Sequence, residues 1–211
     1  MFYEPARHDH GLPYSPLKAI VGPRPIGWIS SLSPDGVANL APYSFFNLIS
    51  EAPPLVMFSS VGRKDSVANI EATGEFVCNL ATLDLIDAVN LTSAPVPPQV
   101  SEFDLAGLEQ APSRLVRPPR VAAAAAALEC VYVETIRPRG RAGPVSGQHM
   151  VIGEVVGVYM ADTAIVDGRF DTAGVGVIAR AGYLDYAPVD RLVERRRPPG
   201  GGMGDVPLRN K

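Results

Sequence analysis

Between residues 26 and 80 the chain is cut into short apolar runs by turn residues, and this punctuation restricts the fold more than any other feature. Residues 26–32 (IGWISSL) predict a strand, stopped by Ser33-Pro34-Asp35-Gly36, where proline and glycine fall at the positions a tight turn wants. Residues 37–41 return as the second arm of a hairpin, and residues 55–59 form a short continuous apolar strand. Residues 64–73 place Val67 and Ile70, with Ala68 and Ala72 beside them, at helical spacing, and Gly74 stands where a helix C-cap is expected. Residues 75–80 alternate, with Phe76, Cys78 and Leu80 on one face, and residues 83–91 suit a second short helix. Regular crossover helices are absent, which argues against a βαβ sandwich. Several short strands with helices as excursions predict a closed or nearly closed antiparallel barrel.

The second half continues the pattern. Residues 93–120 hold six prolines and little periodicity, and predict a long ordered loop of the kind that is usually functional or mobile. The alanines that follow Val121 favour helix by propensity, but the alternating, β-branched run 129–136 favours strand; extended chain over the alanines and strand over 129–136 is the reading taken. Residues 150–160 carry the strongest β signal of this half, with Gly153 and Gly157 marking bulges or close backbone approach. Residues 166–169 make a turn. The whole describes one domain over residues 1–194, long enough to bury a core, followed by a flexible basic, Gly/Pro-rich tail over 195–211. A formal charge of −3 gives no reason to expect nucleic acid, and the longest small-apolar run, 121–128, is too short to cross a bilayer. The N-terminus lacks a basic region followed by an apolar one, so a cytoplasmic location is expected. Cys78 and Cys130 sit in apolar runs and are read as small buried hydrophobes, not as a disulfide.

Two stretches carry candidate chemistry. Ser59-Ser60 ends a strand, Val61-Gly62 turns, and Arg63-Lys64-Asp65-Ser66 leads into the helix. Unpaired N–H groups at a helix start attract an anion, and hydroxyl and cationic side chains add to that attraction. Asp65 is placed to cap the helix or to hold Arg63 or Lys64. Taken alone, these residues fit a solvated, capped helix with an incidental charge pair better than an anion site. The second stretch is Ala41-Pro42-Tyr43-Ser44-Phe45-Phe46-Asn47, directly after a strand, with Trp28, Ile29 and Ser30 on the neighbouring arm. A rigid proline, backbone donors and amide or hydroxyl groups suit the polar edge of a planar ring whose phosphate lies at the helix, which suggests a flavin; ordinary core is the stronger account for Phe45 and Phe46.

The ordered series Pro23-Arg24-Pro25-Ile26-Gly27-Trp28-Ile29-Ser30, Asn39 to Asn47, Lys64-Asp65-Ser66 with Asn69-Ile70, and Gly74-Glu75-Phe76-Val77-Cys78-Asn79 resembles the flavin reductase-like proteins. The likeness continues through Ser93-Ala94-Pro95, Glu102-Phe103, Pro118-Pro119-Arg120, Ala127-Leu128-Glu129-Cys130, Gly153-Glu154-Val155 and Ala179-Arg180 with Tyr186, covering about residues 15–190. Alanines at 122–127, where relatives often have polar residues and proline, depart from it. The resemblance implies a mainly β fold: an FMN-binding split β-barrel of antiparallel, Greek-key type with short peripheral helices. It implies a homodimer with FMN near the subunit interface, Ser59, Ser60, Arg63, Lys64, Asp65 and Ser66 near the phosphate, and Trp28, Ile29, Ser30, Ala41, Pro42, Tyr43, Ser44 and Asn47 around the ring and ribityl chain. Asn79 and Arg180 are further candidates. The implied activity is reduction of flavin by NADH or NADPH, with reduced flavin often supplied to a partner monooxygenase. The same residues would serve an FMN-binding electron carrier of flavoredoxin type, or a split-barrel interaction domain without cofactor.

No acid–base residue is obligatory for hydride transfer between two cofactors, so none is assigned as catalytic. Gly174-Val175-Gly176 with Ala179 matches a loose dinucleotide pattern but lacks the strand before it and the acidic residue after it. His8-Asp9-His10 lacks a third metal ligand in sequence, and no nucleophile-elbow motif occurs. The basic cluster 195–197 is read as solvated tail.

Overall fold

The computed structural model describes residues 1–145 and 147–195. The tail expected at 195–211 therefore lies, beyond its first residue, outside the described residues. Seven strands form one antiparallel sheet: β1 (Gly27–Leu32), β2 (Ala38–Tyr43), β3 (Phe46–Glu51), β4 (Pro54–Val61), β5 (Glu75–Leu80), β6 (Ala126–Ile136) and β7 (Gln148–Met160), in the order β2-β1-β5-β6-β7-β4-β3. The helix α1 (Asp65–Thr73) follows β4, and α2 (Ile86–Leu91) and α3 (Glu102–Leu105) precede β6.

The two edge strands of this sheet are consecutive in the chain, so the sheet curls until its ends meet. Tyr43 on β2, at one edge of the sheet, and Phe58 on β4, next to the other edge, have ring centroids only 4.6 Å apart. Gly27 on β1 makes room for the Phe46 ring on β3, because a Cβ there would lie 2.6 Å from Phe46 Cδ2. No ladder joins β2 to β3, so the barrel is rolled but not sealed.

Its interior holds Ile29, Tyr43, Val56, Phe58, Phe76, Cys78, Cys130 and Val151, with Val67 and Ile70 of α1 packed among them. A second core lies on the outer side of β1 and β2, where Trp28, Leu40 and Ile26 meet Val89 of α2, Phe103 of α3, Val121 and Ile178. Alternate residues of β1 thus enter different cores, which is why residues 27–31 are all buried and the strand carries no polar face.

Most local expectations hold. The 33–36 turn closes with Gly36 at φ +85° and Ser33 accepting the Val37 N–H at 3.0 Å. Gly74 caps α1 at φ +79°, donating to the Ile70 carbonyl at 2.8 Å. Asp167 and Gly168, both at positive φ, turn the hairpin at 165–170. The β6–β7 register shifts between Ile152 and Gly153 and again between Val155 and Gly157, as the two glycines predict. Three expectations are corrected. Ala122 and Ala123 form a turn rather than extended chain, fixed by Ala122 N–H on the Glu109 carbonyl and Ala124 N–H on that of Val121. Part of the 93–120 loop is regular: α3 lies within it, and Gln110–Ala111 pairs with Arg120–Val121. Residues 46–51 form a strand that the sequence reading passed over, since exposed Leu48 and Ile49 on this edge break the alternation.

Candidate functional site

The chain leaves β4 at Ser59-Ser60-Val61, turns at Gly62 (φ +87°) and enters α1. A side chain at Gly62 would be strained by this backbone, so glycine is required for the tight entry. Lys64 is the N-cap residue, extended and without a side-chain cap bond, so Asp65 is the first helical residue rather than the cap expected. Nor does Asp65 hold Arg63: the Arg63 Nε donates to Glu71 at 2.7 Å, and although burial works the other way, this contact helps keep the Glu71 carboxyl below its usual range. Lys64 is exposed and forms no ion pair among the described residues. The first N–H groups of a nine-residue helix, an uncommitted lysine and an exposed arginine therefore share one corner.

The hydroxyls there are less free than the sequence implied. Ser60 is fully buried and donates to the Gly62 carbonyl at 2.9 Å. Ser66 is buried and donates to Asn39 Oδ1 at 2.7 Å. Half-buried Ser59 accepts from Gln148 Nε2 at 2.5 Å. Tyr43 is buried, and its hydroxyl lies beside Ser60 and Ser66, near both yet aligned with neither. Burial raises its pKa, so it remains a neutral donor, and among the described residues it has no acceptor.

Strand β2 joins this corner to the expected ring end. Its residues alternate: Ala41 and Tyr43 pack with the barrel interior, while Pro42 and Ser44 line a cleft of about 190 Å³ with Ile26, Asn90, Arg180 and Tyr186. Because β2 is an edge strand, one side of its backbone has no strand partner in the sheet, and there Leu40 N–H donates to Glu102. Proline at 42 has no N–H to offer another strand, which blunts this edge. Asn47 is exposed on β3, opposite Met57. Arg180 stacks over Tyr186 at 4.5 Å and donates to the carbonyls of Tyr183 and Leu184, so its head is fixed at the cleft rim.

The remaining candidates are structural in this conformation. Trp28 is fully buried, and its Nε1 donates to Thr92 Oγ1 at 2.9 Å. Ser30 donates to the Pro119 carbonyl at 2.5 Å. Asn79 donates to the Trp28 carbonyl and Ser30 Oγ and accepts from Val121 N–H, which consumes its amide. Ile29 is barrel core. The structure thus gathers Tyr43, Ser60, Lys64, Asp65 and Ser66 about the start of α1, sets Pro42 and Ser44 at the cleft and Ala41 against the barrel interior, and turns Trp28, Ser30 and Asn79 to internal bonds.

Sequence reasoning missed three buried polar residues beside the site. Asn39 and Glu102 are hydrogen-bonded behind Ser66, and His149, opposite Ser60 on β7, leaves Nε2 without a partner. Burial raises the Glu102 pKa against the bonds it accepts from Leu40 and Asn39. A polar residue in an apolar strand was a usable signal for Asn39; Glu102 and His149 gave none. A larger concavity, about 570 Å³, is lined by Thr82, Asp84, Ala123, Ala125, Gly174 and Gly176. Unlike the α1 corner it is lined by no cation, and it contains the glycines of the loose dinucleotide pattern as plain turn residues. Among the described residues no helix is long and apolar enough to cross a membrane.

Residues 22–174 match the family described as flavin reductase like domain. The chain is 32% identical to nitrilotriacetate monooxygenase component B from Bacillus cereus, a structure with which it superposes at a TM-score of 0.82 over 92% of this chain and 98% of that one. It is 26% identical to 2-nitrobenzoate 2-nitroreductase from Pseudomonas fluorescens, with a TM-score of 0.82 and coverage of 96% and 99%. A Shewanella frigidimarina protein described with a split barrel domain shares the fold at 24% identity and a TM-score of 0.77, over 86% of this chain and 90% of that one.

Proposed function

From the premise that this chain belongs to the flavin reductase like domain family, with a split-barrel fold, we propose that it binds FMN and transfers hydride to it from NADH or NADPH. The observation that carries the reading is the pairing of two complementary features: a cationic helix start whose N-cap residue Lys64 makes no side-chain cap bond, and a cleft walled by Pro42 and Tyr186. The orphaned Tyr43 hydroxyl supports it, because a buried donor without an acceptor costs roughly 1–3 kcal/mol and an anion beside Ser60 and Ser66 would satisfy it.

In this reading the α1 N–H groups, Lys64 and Arg63 hold the phosphate, and Ser59, Asp65 and Tyr43 border it. Ala41, Pro42, Ser44 and Asn47 align the ring along the open edge of β2, and Arg180 closes the outer end. Ser60 and Ser66 shape the corner from behind, and Trp28, Ile29, Ser30 and Asn79 fix β1 and β5 so that the edge cannot shift. FMN supplies the hydride acceptor, so the protein's contribution is position, charge and exclusion of water. No side chain need move a proton at the cleft. A homodimer, a monooxygenase partner taking the reduced flavin, and a cytoplasmic setting belong to the same proposal; the Bacillus cereus relative is itself a monooxygenase component.

Anaerobic stopped-flow mixing of FMN-loaded protein with NADH or NADPH tests it. Direct bleaching of the flavin band by either nicotinamide is expected. A band that bleaches only when a separate reductase is added would make the protein an electron carrier.

A further inference from the structure

Glu102 opens α3 and is 4% exposed, yet no cation pairs with it among the described residues. A buried carboxylate without a counter-charge is costly unless its oxygens are filled by donors. Here the donors are Asn39 Nδ2, at 2.9 and 3.0 Å from the two oxygens, and Leu40 N–H at 2.9 Å. Because a carboxylate only accepts, it dictates which way the Asn39 amide faces. Nδ2 must point to Glu102, so Oδ1 must point the other way, where it accepts the Ser66 hydroxyl at 2.7 Å and that of Ser31 at 3.4 Å. Ser66 is the second residue of α1, and one turn further on Asn69 Nδ2 donates to Ser31 Oγ at 3.4 Å. A directional chain of hydrogen bonds therefore runs from the 93–120 segment, through edge strand β2, into the first turn of α1.

We propose that Glu102 is a positioning residue for anion binding: by fixing the Asn39 amide it holds Ser66, and with it the first N–H groups of α1 and Lys64, in the arrangement that receives a phosphate. This rests on the flavin reading for the identity of the ligand. It gives the 93–120 segment a task, since docking of α3 and completion of the anion corner become one event.

Glu102→Gln keeps the shape and one acceptor oxygen for the Leu40 N–H, but sets an amide donor against the Asn39 amide, which spans both positions. Asn39 then turns over and Ser66 loses its acceptor. The variant is titrated with FMN and with riboflavin, which lacks the phosphate, alongside Ser66→Ala and the double variant. The expected result is FMN affinity lowered about five-fold or more in each single variant, riboflavin affinity within about two-fold of wild type, and no further loss in the double variant. Hydrogen exchange at the Val67 and Ala68 amides, measured without flavin, should be faster in Glu102→Gln than in wild type. Equal loss for both flavins, or additive losses with unchanged exchange, would overturn the positioning role. If wild-type protein bound neither flavin, the functional reading would fall, and unchanged exchange in the variant would separately overturn the chain's hold on α1.

Discussion

Replacement of Gly153 by alanine tests how the barrel closes on itself. Gly153 lies at the β6–β7 register shift with the Phe76 ring directly over it. An added Cβ would sit 2.3 Å from Phe76 Cζ, 2.4 Å from Cε1 and 3.2 Å from the Val131 carbonyl oxygen. Carbon atoms prefer about 3.5–4.0 Å, so the ring would have to retreat by more than about 1 Å. It has little room to do so: Phe76 is fully buried, and Phe58 stands edge-on to it at 6.0 Å, itself backed by Tyr43. Overpacking of this kind costs about 1–3 kcal/mol, and the confinement places Gly153→Ala at the upper end. At about 2–4 °C per kcal/mol for a domain of this size, Tm should fall by roughly 6–12 °C. Thermal unfolding followed by the emission of the single tryptophan, the fully buried Trp28, measures this directly. Phe76→Leu removes the clashing atoms, so the double variant should be more stable than the sum of the single losses predicts, by about 1 kcal/mol or more. A Gly153→Ala variant within about 0.5 kcal/mol of wild type, or strictly additive losses, would refute the packing argument.

Two further outcomes follow from burial. Cys78 and Cys130 are free and enclosed in the barrel, and burial holds the Cys78 thiol well above its usual pKa, so neither should react with a thiol reagent until the protein is unfolded in guanidinium; immediate reaction of either in native buffer would contradict the interior packing. Burial raises the Glu102 pKa in the folded state, so its stabilising contribution is complete below the unfolded value and is lost as pH rises through the raised one. The stability advantage of wild type over Glu102→Gln should therefore shrink as pH rises from about 4.5 toward neutrality; an advantage that grows over that window in urea melts would show the sign to be wrong.

Local structure was legible where backbone chemistry is local. The 33–36 turn, the Gly74 cap and the two bulge glycines each follow from a residue whose conformational freedom is special, and each stands where it was expected. Long-range burial was harder to see. Residues 27–31 are buried on both faces because two separate cores meet at β1, and nothing in a window of five residues shows the second core coming from residues 89, 103, 121 and 178. The same reason hid the state of the polar candidates. Ser30 and Asn79 look like open hydrogen-bonding groups until Pro119 and Val121, some 40 to 90 positions away, take up their bonds. The candidate anion corner was read from Arg63-Lys64-Asp65-Ser66, but its details were reassigned: among the described residues Lys64 forms no ion pair, Arg63 is tied to Glu71, and Ser66 answers to Asn39. Glu102 stands in the motif series but was not read as a site residue, because a single acidic residue in a proline-rich stretch gives no sign that it will be buried.

The central claim is that the start of α1 grips a phosphate while the ring lies along β2, and paired titrations of FMN and riboflavin into wild type and Lys64→Ala test it most directly. Removing one charge-assisted contact, worth roughly 1.5–3 kcal/mol, should weaken FMN by about ten-fold or more and leave riboflavin nearly unchanged. Equal weakening of both flavins, or no effect on either, would contradict it.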